Sequence, residues 1–181
     1  VRSSAASDVY KRQEKLFRTM AECEKCAKHI HLPVQSGSSR VLKAMNRHYD
    51  REKYLALVDM ARSYMPDIVL TTDIIVGFPG ETAEDFAETL SLVEQVRYDA
   101  MFTFIFSPRE GTPAATMPDP VSREEKQVWF DQLVETANRI SGEKHQEYIG
   151  RKLRVLVDGE TGRGEYNLSA RTNGGRLVHL K

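Results

Sequence analysis

"TTDIIVGFPGET", residues 71–82, runs a β-branched and apolar strand into a Gly-Phe-Pro-Gly turn, an acid and a threonine placed to open a helix. From Ile68 to Val76 almost every residue is apolar or β-branched, as expected of a strand buried on both faces. Strands of that kind belong to parallel sheets, where a crossover helix leads from one strand to the next. Gly77 and Gly80 suit a turn that needs positive φ, and Pro79 presets its backbone. Alone, the turn is more a matter of geometry than of chemistry. It is no Walker A loop, because no Gly-Lys-Ser/Thr follows. Asp73 is an acid inside the apolar run, so it needs a partner or a polar cavity.

Outward from this stretch the chain alternates strand and helix. "KHIHLPV" (28–34) predicts a strand, and a short helix follows over 38–46. Asp50 is placed to cap a helix with Tyr54, Leu55, Val58 and Ala61 on one face, stopped before Pro66. Thr82 with Asp85 reads as a capping box for a helix carrying Phe86, Leu90, Val93 and Val96 inward. A third strand is expected over 100–106. "PDPVSREEK" then interrupts the chain, and Ser122 with Glu125 opens a long helix with Val128, Leu133, Ala137 and Ile140 inward. After Gly150 come short strands and an Asn173-Gly174-Gly175 hairpin signal, the marks of a small β-module.

The predicted class is therefore α/β, with three strands of a larger sheet or barrel. In either layout ligands sit at the carboxyl ends of the strands. Here those ends are "VQSGSSR", "GFPGE" and "FSPREGTPA", all polar or glycine-bearing and all expected on one rim. "VQSGSSR" offers Gln35, Ser36, Ser38 and Arg40, with Ser36 or Ser38 also suited to cap the next helix. "FSPREGTPA" offers Ser107 and Arg109.

Zero formal net charge hides an uneven distribution. Residues 14–149 carry 16 Lys+Arg against 22 Asp+Glu, and residues 150–181 carry 7 against 3. A basic tail on an acidic body points to a polyanion at the tail or to a plain solvated surface. Arg163, Arg171 and Arg176, which sit around Tyr166 and Asn173, are the candidate RNA contacts there. No run of about eighteen apolar residues and no apolar leader occurs, so a cytosolic protein without a membrane span is expected. The only cysteines, Cys23 and Cys26 of "CEKC", are half a zinc site at most, and no metal role is assigned to them. Residues 1–13 show no period and are expected to be non-native or disordered.

Taken together, "HLPVQSGSSRVLKAMNRHY", "TTDIIVGFPGETAEDF" and "FTFIFSPREGTPAATMPD" resemble the radical S-adenosylmethionine (SAM) methylthiotransferases, almost without a break over residues 29–119. "HLPVQSGS" and "MNR.Y" are similar to the tRNA branch of that family. The resemblance implies the carboxyl-terminal half of a partial (β/α) barrel over 14–149, then the first half of a TRAM domain, a small RNA-binding β-barrel, over 150–181. It implies methylthiolation of C2 of an N6-isopentenyl-adenosine beside the anticodon. SAM and two [4Fe–4S] clusters would be the cofactors, and a flavodoxin- or ferredoxin-type protein the electron donor. The partner would be the anticodon stem-loop of tRNA. The implied SAM contacts are Gln35, Ser36, Asp73, Gly77, Phe104, Phe106, Ser107 and Arg109, with Phe106 standing where the family usually carries tyrosine. The family's Cys-x3-Cys-x2-Cys motif does not occur here, so this chain alone is expected to hold no cluster and to be inactive. Two alternatives stay open: the sister branch acting on threonylcarbamoyl-adenosine tRNA, and a non-catalytic RNA-binding module on a barrel remnant.

Overall fold

The computed structural model describes residues 2–162 and 164–181, with the backbone alone over 2–11. Its elements run α1 (Arg2–Glu22), β1 (His29–His31), α2 (Ser39–Ala44), α3 (Arg51–Tyr64), β2 (Val69–Val76), α4 (Ala83–Val96) and β3 (Ala100–Ile105). A 3-10 turn (Pro113–Thr116), α5 (Arg123–Gln146), β4 (Val155–Glu160), β5 (Leu168–Thr172) and β6 (Leu177–Leu180) complete the chain. It forms two compact units.

One unit comprises residues 31–56 and 70–148. The three-stranded sheet has order β1-β2-β3, and β2 and β3 are parallel, pairing Asp73 with Phe102 and Ile75 with Phe104. The extended chain after β1 continues along β2: Leu32 N donates to Thr71 O at 2.8 Å and Gln35 N to Asp73 O at 2.9 Å. This is the α/β, parallel-sheet class that the strand-helix alternation predicts. Alternation within β2 and β3 splits the sheet into two faces. Leu70, Ile74 and Val76 are fully buried, as are Phe86, Leu92, Val93 and Val96 of α4 and Leu133 and Ile140 of α5. The other face carries Thr71, Asp73, Ile75, Phe102 and Phe104, and both phenylalanines are more than half exposed.

The two capping boxes form as read, with Asp85 N donating to Thr82 Oγ1 and Glu125 N to Ser122 Oγ. The phase of α5 differs from the expectation. Val128 is 54% exposed, while Lys126, Leu133 and Ile140 are buried. Lys126 wins the inward position because its stem is apolar and its ammonium reaches Asp119. Leu90 is only partly covered, and Leu92 takes the buried place. Ser38 sits at the N-cap of α2, but its side chain makes no capping bond.

The other unit comprises the chain through Ile30, residues 57–69 and residues 149–181. Helix α1 begins at Arg2, so most of the first thirteen residues are helical rather than irregular. Residues 2–22 contain neither Gly nor Pro and are rich in Ala, Arg, Lys, Glu and Gln, which favours a helix without an apolar period. Phe17 is buried, and Tyr64 Oη donates to Glu14 Oε1 at 2.9 Å. Strands β4-β5-β6 form an antiparallel sheet with a bulge between Val157 and Gly159. The predicted hairpin closes where Gly175 N donates to Thr172 O at 2.9 Å, with Gly175 at φ +79.

Candidate functional site

The carboxyl ends of the strands converge on a cleft of about 530 Å³ within the first unit. Gln35, Asp73, Phe104, Phe106, Ser107 and Arg109 all line it, with Ile75, Ile105, Thr112 and Ala114. Six of the eight rim residues named from the sequence thus share one cavity. Ser36 and Gly77 do not line it. A second cavity of about 310 Å³ is bounded by Arg47, Ile75, Phe78, Phe106, Thr112 and Pro113, among others. Arg47 lies in the "MNR.Y" stretch and Thr112 in "FSPREGTPA", but neither was singled out as a site residue from the sequence.

Gln35 reaches the cleft through an unusual backbone. Its φ is +71, yet its N–H donates to Asp73 O and its carbonyl accepts from Ile75 N, both at 2.9 Å. A non-glycine residue at positive φ is strained, and here β2 holds it on both sides. Asp73 has both features that its place in an apolar run demands. It lines the cleft, and its Oδ2 lies 3.3 Å from His31 Nε2. His31 Nδ1 is 2.9 Å from Thr71 Oγ1, and the ring meets Phe102 edge-on at 6.1 Å. Strand alternation alone did not single out His31, since its partners lie about forty residues away.

Ser36, Ser38 and Arg40 are engaged elsewhere. Ser36 Oγ lies 3.3 Å from Thr89 Oγ1 and accepts from Ser38 N. Ser38 Oγ donates to Asp85 Oδ1 at 2.7 Å, and Arg40 pairs with the same carboxylate while donating to Gly80 O at 2.6 Å. Burial pushes the Asp85 carboxyl up, but Arg40, Ser38 and Thr82 together hold it well below the usual carboxylate range. These bonds fasten "VQSGSSR" onto α4. Gly37 is required at the junction, because a Cβ there would lie 2.5 Å from Thr89 Cα and 2.7 Å from Glu88 O.

The "GFPGE" turn is organised by its own acid. Glu81 Oε2 accepts from Gly77 N at 2.5 Å and from Phe78 N at 3.1 Å, closing the turn over a side chain only 1% exposed. Among the described residues its Oε1 has no hydrogen-bond partner. Burial pushes the carboxyl up to about 7, against the pull of the two amides. Gly77 adopts φ +72, and a Cβ there would lie 2.5 Å from the Lys126 stem. Glycine is thus needed at 77 for the turn and its packing. The turn reaches the cleft through Phe78, whose ring packs edge-on against Phe106 at 5.2 Å.

In the β4-β5-β6 sheet, Arg171 is exposed and its Nε donates to Asp158 Oδ2 at 2.7 Å. Arg176 is half-buried, and its backbone N–H donates to Thr172 Oγ1 at 3.1 Å. Tyr166 and His179 lie with ring centroids 6.0 Å apart. Arg163 lies outside the described residues. Among the described residues no helix is long and apolar enough to cross a membrane.

The family model of the radical SAM superfamily matches residues 3–93, and the chain belongs to that superfamily. The chain is 52% identical over 165 residues to the tRNA-2-methylthio-N(6)-dimethylallyladenosine synthase of Clostridium botulinum, covering 91% of this chain and 37% of that protein. The Thermoanaerobacter sp. enzyme of the same name is 50% identical over 167 residues, covering 92% of this chain and 36% of the relative. The chain thus spans little more than a third of the length of these curated relatives. Among solved structures it is similar to coproporphyrinogen III oxidase (HemN) from Escherichia coli, a radical SAM enzyme. The TM-score is 0.52 at 24% identity, over 62% of this chain and 27% of that one, a likeness of fold.

Two groups follow from the superfamily, and the residues present fit them differently. SAM is matched by a cleft that combines an acid, an amide, a guanidinium and two aromatic rings at the strand ends. A [4Fe–4S] cluster is not matched: the chain has two cysteines, and among the described residues no three metal-ligating side chains come together.

Proposed function

We propose that this chain supplies the carboxyl-terminal part of a radical SAM barrel, with a TRAM-type sheet, to a tRNA methylthiotransferase. The substrate would be N6-isopentenyl-adenosine beside the anticodon, and the product its 2-methylthio derivative. The observation that carries the reading is the shared cleft of Gln35, Asp73, Phe104, Phe106, Ser107 and Arg109 in a chain half identical to synthases of that name.

In this reading the cleft holds SAM, which supplies the radical when bound in a complete enzyme. Asp73 would accept hydrogen bonds from a ribose hydroxyl or an amine, and Arg109 would pair with the carboxylate. Phe104 and Phe106 would supply the apolar surface against the adenine and keep water from it. Ser36 and Gly77 act beneath them, holding the strand ends rather than the ligand. Arg171 and Arg176 meet the anticodon stem-loop through its phosphates. An electron donor of flavodoxin or ferredoxin type, a cytoplasmic location and both [4Fe–4S] clusters belong to the complete enzyme.

SAM titrated into isotope-labelled chain tests this reading. Amide shifts should concentrate at Gln35, Asp73, Phe104, Phe106, Ser107 and Arg109, and Asp73→Asn should weaken binding about tenfold, the loss of one hydrogen bond to a charged group. Shifts absent at millimolar SAM, or confined to other residues, would refute it. Iron and sulfide analysis after anaerobic reconstitution should find no stoichiometric cluster on this chain.

A further inference from the structure

Cys23 and Cys26 have no place in the chemistry above, and both are free and half-buried. Helix α1 makes its last bond where Cys23 N donates to Thr19 O at 3.0 Å. The chain then turns, and Cys26 N donates to Cys23 O at 3.1 Å. A turn closed by such a bond holds its first and fourth Cα atoms within about 7 Å. Disulfides span about 4.4–6.8 Å between Cα atoms, so the turn is already close to the geometry of a bond. Lys28 ties the same segment together, its ammonium bonding to the carbonyls of Met20, Ala21 (3.2 Å) and Cys23 (3.1 Å).

The two sulfurs are not equivalent. The hydrogen bond between the two sulfurs lowers the Cys23 pKa and raises that of Cys26, and Lys28 adds a smaller favourable charge. One sulfur is thus disposed to attack and the other to resolve. A metal is the weaker alternative, since no third His, Cys, Asp or Glu joins them among the described residues.

We propose that Cys23 and Cys26 form a thiol–disulfide exchange site, which a glutathione-type disulfide oxidises reversibly to an intramolecular bond. The Cys23 thiolate attacks one sulfur of the small disulfide, forming a mixed disulfide and expelling one thiolate. Cys26 then releases its proton and attacks the Cys23 sulfur, forming the Cys23–Cys26 bond and expelling the second thiolate. Two electrons and two protons leave the protein, and the small disulfide is reduced to two thiols. The bond would lock the turn joining α1 to β1.

The test equilibrates the full chain with oxidised glutathione, quenches it in acid, alkylates free thiols and weighs the protein. The expected species has lost two hydrogens and takes up no alkylating agent, and dithiothreitol restores both thiols. Cys23→Ser and Cys26→Ala should each stop at one glutathione adduct. Cys26→Ala should also move the pH of half-maximal Cys23 alkylation upward, because the donor to the thiolate is gone. Two stable glutathione adducts on the wild-type chain, or two thiols that stay free, would overturn the proposal. The wild-type mass decides the matter even where a variant misfolds.

Discussion

Glu81→Gln separates the charge of the buried acid from its shape. The wild-type carboxyl is raised from an ordinary value of 4.5 to about 7, chiefly by burial. Below pH 4.5 it is protonated in folded and unfolded chains alike. Between 4.5 and 7 the folded state keeps a proton that the unfolded chain has released, so stability falls as pH rises through that window. Above 7 both forms are ionised and the loss is complete. A displacement of roughly 2.5 units corresponds to about 3.5 kcal/mol over the whole window at about 1.4 kcal/mol per unit. Glutamine still offers a carbonyl to the Gly77 and Phe78 amides but cannot ionise. Its amide group takes the place of the unpartnered Oε1, at a cost of about 1 kcal/mol. Urea unfolding at pH 5 and pH 8 should therefore show a smaller loss of stability for the variant, by about 2.5 kcal/mol, because at pH 5 the unfolded chain has already released most of this proton. Other titrating groups contribute equally to both proteins and cancel in that double difference. Equal pH slopes for the two proteins would refute the assignment of the shift to Glu81.

Three other substitutions probe the joints around the cleft and the tail. Asp85→Ala removes the carboxylate shared by Ser38, Arg40 and Thr82, and should cost about 3 kcal/mol in chemical unfolding at pH 7. Because the Asp85 carboxyl is held below its ordinary range, the wild-type advantage is fully present above that range and is lost as pH falls through the folded value. Gly37→Ala drives a methyl against Thr89 Cα and Glu88 O, and should destabilise the chain by about 2 kcal/mol, read as a lowered melting temperature. Arg171→Glu should weaken binding of an anticodon stem-loop RNA and flatten the salt dependence by about one charge, while unchanged affinity at moderate salt would count against an RNA role. Its present pairing with Asp158 makes the loss smaller than for an unpaired arginine.

What was legible in the sequence was what neighbouring residues decide among themselves. Thr82 with Asp85 and Ser122 with Glu125 read as capping boxes because donor and acceptor are three residues apart, and both form. The strand ends converge as expected because alternation and crossover handedness leave them little choice. What escaped depends on partners far along the chain. Asp85 looks complete as a capping residue, yet Ser38 and Arg40, 47 and 45 positions away, also claim it, which diverts Arg40 from the cleft. Lys126 looks solvent-facing until Gly77 and Asp119 give its stem a surface and its head a partner, and that turns Val128 outward. "GFPGE" combines the two cases. Its glycines announce a turn, but only the enclosed fold leaves Glu81 with two amides on one oxygen and none on the other. The acid at the end of the motif therefore stabilises the turn, the turn sets Phe78 against Phe106, and Phe106 forms the wall of the cleft. Geometry and chemistry at this strand end are successive links of one chain of contacts.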